Sequence, residues 1–272
     1  MNANSNIWII GLLSLCLSAC GDHSSPAGDE PSVPVPIGFS SDVPPQEKEQ
    51  TRATTDAISS MYVFASYTQA VDWKTTDIPN FMYKQLMINS SGSWTYSPLK
   101  YWPNTNDEKI SFFAYAPADI TNLTPSAANV SGPKLTYTLP QKIADHQDLL
   151  VGSCLNRKKG SGTVSFTMKH ALTQVKFKIK KDASEGTTVN LTSLNVLAPG
   201  TGTLSFSTTE GSFTWTDYKM PSVFTTEISP SVSLTNSATE FGPFFLFPIG
   251  GLLNRRPEKS FVWYPLPIMT RI

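Results

Sequence analysis

From residue 61 onward, hydrophobic and polar residues alternate with a period of two along much of the chain. Leu135, Tyr137 and Leu139 are separated by Thr136 and Thr138, and Val164, Phe166 and Met168 by Ser165 and Thr167. Val175, Phe177 and Ile179 are separated by Lys176 and Lys178, which gives one apolar and one cationic face. Successive side chains of a strand point to opposite faces, so each run predicts a half-buried strand. Trp94 and Tyr96 alternate with Ser93 and Thr95; Met61–Ala65 reads as a short buried run, and Ile110–Tyr115 is rich in aromatics. Val189/Leu191, Leu194/Val196, Leu204/Phe206 and Phe213/Trp215 continue the pattern. Turn signals separate the runs at Ser90-Ser91-Gly92, Pro103-Asn104, Ser131-Gly132-Pro133 and Gly160-Ser161-Gly162. No stretch keeps a 3.6-residue period over three turns. The pattern predicts an all-β chain of one or two β-sandwiches.

The first fifty residues follow other rules. Ile7 to Leu17 is an apolar run broken only by Gly11 and Ser14. It is shorter than the roughly 20 residues a bilayer span needs, and it suits the core of a secretory signal peptide. Leu17-Ser18-Ala19-Cys20 closes it and resembles the lipobox of bacterial lipoproteins. Residues 1–19 are then a signal peptide and Cys20 the lipidation site, although Met1 to Asn6 lacks the usual Lys or Arg. Residues 20–52 form a polar, proline-containing tether. Within it Val33, Val35, Ile37 and Phe39 alternate with Pro, Gly and Ser, as in a strand. Proline donates no ladder hydrogen bond, so the expectation is an edge strand.

Charged residues make up 15% of the chain, well below the common share of about 25%, and the formal net charge is zero. Nucleic-acid binding needs a concentrated cationic face and is not expected. With Cys16 in the signal and Cys20 lipidated, Cys154 has no partner and reads as a small apolar filler. His23, His146 and His170 are isolated, so no metal site is expected. Asp145-His146-Gln147-Asp148 reads as a polar turn and His170 as a hydrogen-bonded sheet residue. No nucleophile elbow, phosphate loop or dinucleotide fingerprint is present, so neither catalytic residues nor a cofactor is assigned. Trp73, Trp94, Trp102 and Tyr101 stand as either core aromatics or sugar-stacking residues.

Arg52, followed by Ala53, sits in a polar segment between the possible edge strand and the first core strand, where proteolytic nicking is easy. A first domain is expected over residues 53–182. A second is expected over 187–272, after the polar loop Lys180–Gly186. Beyond Gly242 the chain is apolar without alternation.

Together these pieces resemble the fimbrillin-like (Mfa-like) lipoproteins, subunits of bacterial surface pili. The resemblance rests on the lipobox, Pro36-Ile37-Gly38-Phe39-Ser40, Thr51-Arg52-Ala53-Thr54 and Met61-Tyr62-Val63-Phe64-Ala65. It continues through Trp94, Lys100-Tyr101-Trp102-Pro103, Ile110–Pro117, Gln147-Asp148-Leu149-Leu150 and the Phe166–Ile179 region. It implies two transthyretin-like β-sandwich domains and an outer-membrane lipoprotein at the cell surface. An Arg-specific protease would cut the Arg52–Ala53 bond and remove the strand bearing Val33, Val35, Ile37 and Phe39. The groove so opened would take a donor strand from another fimbrial subunit, giving a structural, non-enzymatic role in adhesion, with host glycans or proteins as outward contacts. The family usually continues with further alternating strands where this chain has Gly250 to Ile272, so a truncated or frame-shifted second domain is expected. The competing expectation is a monomeric surface lipoprotein that binds glycans through Trp73, Trp94 and Trp102.

Overall fold

The computed structural model describes residues 33–44, 58–182, 186–219 and 222–248. Its strands, in chain order, are β1 (Phe39–Asp42), β2 (Ser60–Tyr67), β3 (Met82–Ser90), β4 (Ser93–Thr95), β5 (Ile110–Ala116), β6 (Leu123–Pro125), β7 (Lys134–Thr138) and β8 (Leu150–Arg157). They continue with β9 (Val164–Thr167), β10 (Lys169–His170), β11 (Thr173–Ile179), β12 (Val189–Ala198), β13 (Thr201–Phe206), β14 (Phe213–Lys219), β15 (Ser222–Leu234) and β16 (Thr239–Leu246). Among the described residues the only helical piece is a 3-10 turn, Ile143–Asp145. The all-β reading of the alternating pattern is what the structure shows.

A six-stranded sheet, ordered β10-β8-β5-β2-β3-β4, forms the centre. Every residue of β5 is buried, because this sheet is covered on both faces. That explains why Ile110–Tyr115 is rich in aromatics rather than alternating, with even Ser111 buried. On one face Phe64, Phe113, Tyr115 and Val151 meet Leu135, Tyr137, Leu204 and Phe206 from a four-stranded sheet ordered β14-β13-β7-β6. On the other face Met61, Val63, Phe112, Ala114 and Cys154 meet Ile37, Phe39, Val164, Phe166 and Met168. That second cover is a two-stranded parallel ladder, β1-β9. Its approach is close: a Cβ on Gly152 of β8 would lie 2.8 Å from Met168 Sδ.

Two further ladders, β11-β16 and β12-β15, carry the last part of the chain. Phe177, Leu194, Val196 and Phe241 pack against the first core from these ladders. Of the segment beyond Gly242, unpatterned in the sequence, residues 243–246 are the end of strand β16, with Phe244 buried in it and Phe247 buried just after it. Gly242 has φ +120°, and an added Cβ would meet Val175 O at 2.9 Å, which accounts for a glycine where the β11-β16 register shifts. Hydrogen-bonded sheets also cross the expected domain boundary. β13 pairs with β7 from Thr201↔Thr138 to Ser205↔Lys134.

Candidate strand-acceptor groove

Residues 35–42 run extended and are hydrogen-bonded to two neighbours in turn. At the N-terminal half, Ile37 N–H donates to Lys100 O and Trp102 N–H to Val35 O, both at 2.9 Å, with Pro36 bridging Tyr101. At the C-terminal half, Val164 N–H donates to Gly38 O and Met168 N–H to Asp42 O, both at 2.8 Å. The parallel register runs from Phe39↔Val164 to Asp42↔Thr167. The segment keeps the character of an edge strand: β1 belongs to a two-stranded sheet with β9, and each half of the segment has a single neighbour, Lys100–Trp102 for the first and β9 for the second. The prolines are tolerated because they fall in the half that bonds only to Lys100–Trp102.

The alternating residues descend into the core. Val33 is 80% exposed and Val35 43%, whereas Ile37 and Phe39 are 1% and 7% exposed. Phe39 sits in an aromatic box, edge-on to Tyr96 at 5.4 Å and Phe112 at 5.6 Å, and stacked with Phe166 at 6.2 Å between centroids. The Tyr96 hydroxyl donates to Ile37 O at 2.8 Å. Burial raises the Tyr96 pKa, partly offset by the Lys100 N–H that donates to the phenol oxygen, so the phenol stays protonated and a donor. Ser40 and Ser165 share a hydroxyl hydrogen bond of 2.7 Å.

Withdrawing this strand would uncover Ile37 and Phe39, at about 1.5–3 kcal/mol each. It would also strip partners from Lys100 O, the N–H groups of Trp102, Val164 and Met168, and the Tyr96 hydroxyl, at about 1 kcal/mol per lost hydrogen bond. The total is comparable to the roughly 5–15 kcal/mol that holds a whole domain folded. An emptied groove therefore demands a replacement strand, which can restore both the ladder and the apolar filling. The alternation at Val164/Phe166/Met168 and the Lys100-Tyr101-Trp102-Pro103 run were visible in the sequence as separate pieces. That they face each other as the groove's walls was not, since local pattern carries no partner information.

The expected signal peptide, Cys20, Arg52, Ala53 and the Gly250–Ile272 stretch on which the expected truncation rests lie outside the described residues. The tryptophans do not form a sugar platform. Trp73 is buried in the first core and Trp102 in the second, on opposite faces of the central sheet, and Trp94 packs half-buried against the second. The structure thus removes the feature behind the glycan-binding alternative. Cys154 is buried, its thiol donating to Ser165 O, and burial pushes its pKa up to about 11. His170 faces the Asp148 carboxylate. His146 is buried at the end of the 3-10 turn, with ring nitrogens 2.9 Å from Phe245 O and from Pro140 O. Among the described residues no group of three or more His, Cys, Asp or Glu side chains could hold a metal ion, and no helix is long and apolar enough to cross a membrane.

Comparison with known proteins adds to this geometry. The profile of the fimbrillin-like family matches residues 51–248. Fimbrium subunit Fim1C of Phocaeicola vulgatus is 34% identical over 178 residues, covering 57% of this chain and 46% of that protein. The chain thus spans about half the length of that curated relative. The crystal structure of a fimbrial protein from Bacteroides vulgatus superposes with a TM-score of 0.53 at 22% identity, over 79% of this chain and 77% of that one. At that identity the likeness speaks for the fold alone.

Proposed function

The chain belongs to the fimbrillin-like family, and from that premise we propose that it is a structural subunit of a bacterial surface fimbria, assembled by strand exchange. The observation that carries this reading is the leading strand itself, which fills a groove between Lys100–Trp102 and β9. In sequence it precedes Arg52, so a cut at the Arg52–Ala53 bond separates it covalently from the body it completes. In this reading Cys20 carries the lipid that delivers the closed subunit to the outer membrane. An Arg-specific protease nicks the tether, and another fimbrial subunit supplies the replacement strand. The two-sandwich organisation of the family and a role in adhesion to host glycans or proteins belong to the same proposal.

N-terminal mass analysis of native protein tests the processing. Lipidated Cys20 is expected before digestion and a free Ala53 after it. Polymer is expected to form only from the cut protein, and the Arg52→Ala variant to stay monomeric. Assembly of Arg52→Ala at the wild-type level would sink the cleavage step.

A further inference from the structure

At the Val35 end of the leading strand an open cleft of about 700 Å³ is lined by Pro34, Tyr101, Trp102, Pro103 and Asn104. It continues the groove, because Tyr101 bridges Pro36 and Trp102 N–H donates to Val35 O. Among the described residues the resident strand contributes only Pro34 to it, a small ring without an N–H. Tyr101 is left 46% exposed there, while the pockets under Ile37 and Phe39 are closed. Among the described residues the groove is thus full at the Phe39 end and open at the Val35 end.

That asymmetry bears on how one strand can replace another. Complete departure of the resident strand before entry of the next would expose two buried side chains and unpair both ladders at once. Entry beside the resident strand, at a point it does not occupy, avoids that intermediate: each residue gained by the newcomer follows one given up by the occupant. We propose that the Tyr101–Pro103 cleft is the entry site for the incoming strand, which lodges an apolar residue there and then displaces the resident strand from Val35 toward Phe39. This rests on the strand-exchange reading above. The lining side chains are two prolines, two aromatics and an asparagine, none of them charged, so the cleft fits an uncharged aromatic or proline-bearing position of an extended segment from a second subunit.

The test uses full-length protein nicked by limited Arg-specific digestion and challenged with excess synthetic peptide. Native mass spectrometry follows loss of the resident fragment. One peptide carries the sequence of residues 33–44, and a second carries the same sequence with Pro34→Trp. The Trp peptide is expected to displace the fragment faster, by up to about tenfold, the factor one added aromatic contact carries. The gain should vanish on Tyr101→Ala protein and persist on Tyr101→Phe, which keeps the ring and guards against a folding artefact. Equal rates for the two peptides, or a gain that survives Tyr101→Ala, would overturn the entry site while leaving exchange intact. Failure of either peptide to displace the fragment at any excess would instead overturn the exchange reading itself.

Discussion

The two covers of the central sheet are built to different standards. The four-stranded cover is stitched to the sheet by groups from its own hairpins. Glu210, in the β13–β14 turn, accepts from Leu155 N–H and Arg157, Gly211 N–H donates to Ser153 Oγ, and the Trp215 indole donates to Ala171 O at 2.7 Å. The opposite cover is a two-stranded ladder, half of which lies upstream of Arg52 in the chain. Both faces bury large aromatics, yet only one depends on a segment joined to the rest through the stretch that holds Arg52. In the strand-exchange reading, detachability would come from connectivity and from where the cross-links fall, since the buried surfaces are of similar chemistry.

The sharpest way to break this comparison is to put a charge into the detachable side. Phe39→Asp buries an unpaired carboxylate in the aromatic box, at a cost of several kcal/mol, enough to expel the strand. Hydrogen exchange should then show lost protection at Val164 and Met168, with amides of β7 and β13 still protected. Uniform loss over both covers would show that the faces are one cooperative unit. Phe206→Ala, on the permanent side, is expected to cost about 3–5 kcal/mol and to lower the melting temperature of the whole protein.

Acid should discriminate the covers further. Burial holds the His146 pKa below the ordinary 6.5, against the pull of the Pro140 and Phe245 carbonyls and Asp145 toward the charged form. The unfolded chain then binds more protons than the folded one, so stability is present above about pH 6.5 and falls as pH drops toward the folded value. His146 ties the 3-10 turn to β16 through Phe245 and stands edge-on to Phe224 of β15, both on the permanent side. Protection near Phe245, taken relative to the intrinsic exchange rate at each pH, should fall between pH 7 and 5, and His146→Gln should flatten that dependence. A flat wild-type profile would remove His146 from the account. The smallest effect belongs to Ser40→Ala, which loses one exposed hydroxyl bond to Ser165 and should shift stability by no more than about 1 kcal/mol in denaturant titration.

How much of this was legible in the sequence depends on what holds each element. Leu135/Tyr137 and Val164/Phe166/Met168 announce their strands because one face is buried and the other is not. Ile37 and Phe39 announce theirs despite the prolines, since those stay clear of the β1-β9 ladder. β16 was missed because Gly242-Pro243 interrupts it and the following aromatics run together without a polar partner. The pairing of β7 with β13 was also hidden, because alternation marks a strand without naming its neighbour across more than sixty residues. Tryptophan position was the least legible. Trp73 and Trp102 lie in loops where no period applies, and only the packing shows that both turn inward.

Phe112 and Phe113 are adjacent in β5 and look into different rooms. Phe112 meets Phe39 at 5.6 Å and Trp102 at 6.0 Å, and Phe113 meets Trp73 at 4.7 Å and Phe206 at 5.1 Å. One peptide unit thus carries a reporter for each cover. With both rings fluorinated, a change of occupant in the groove would move the resonance of the first and leave the second as its internal reference. Global unfolding would move the two together.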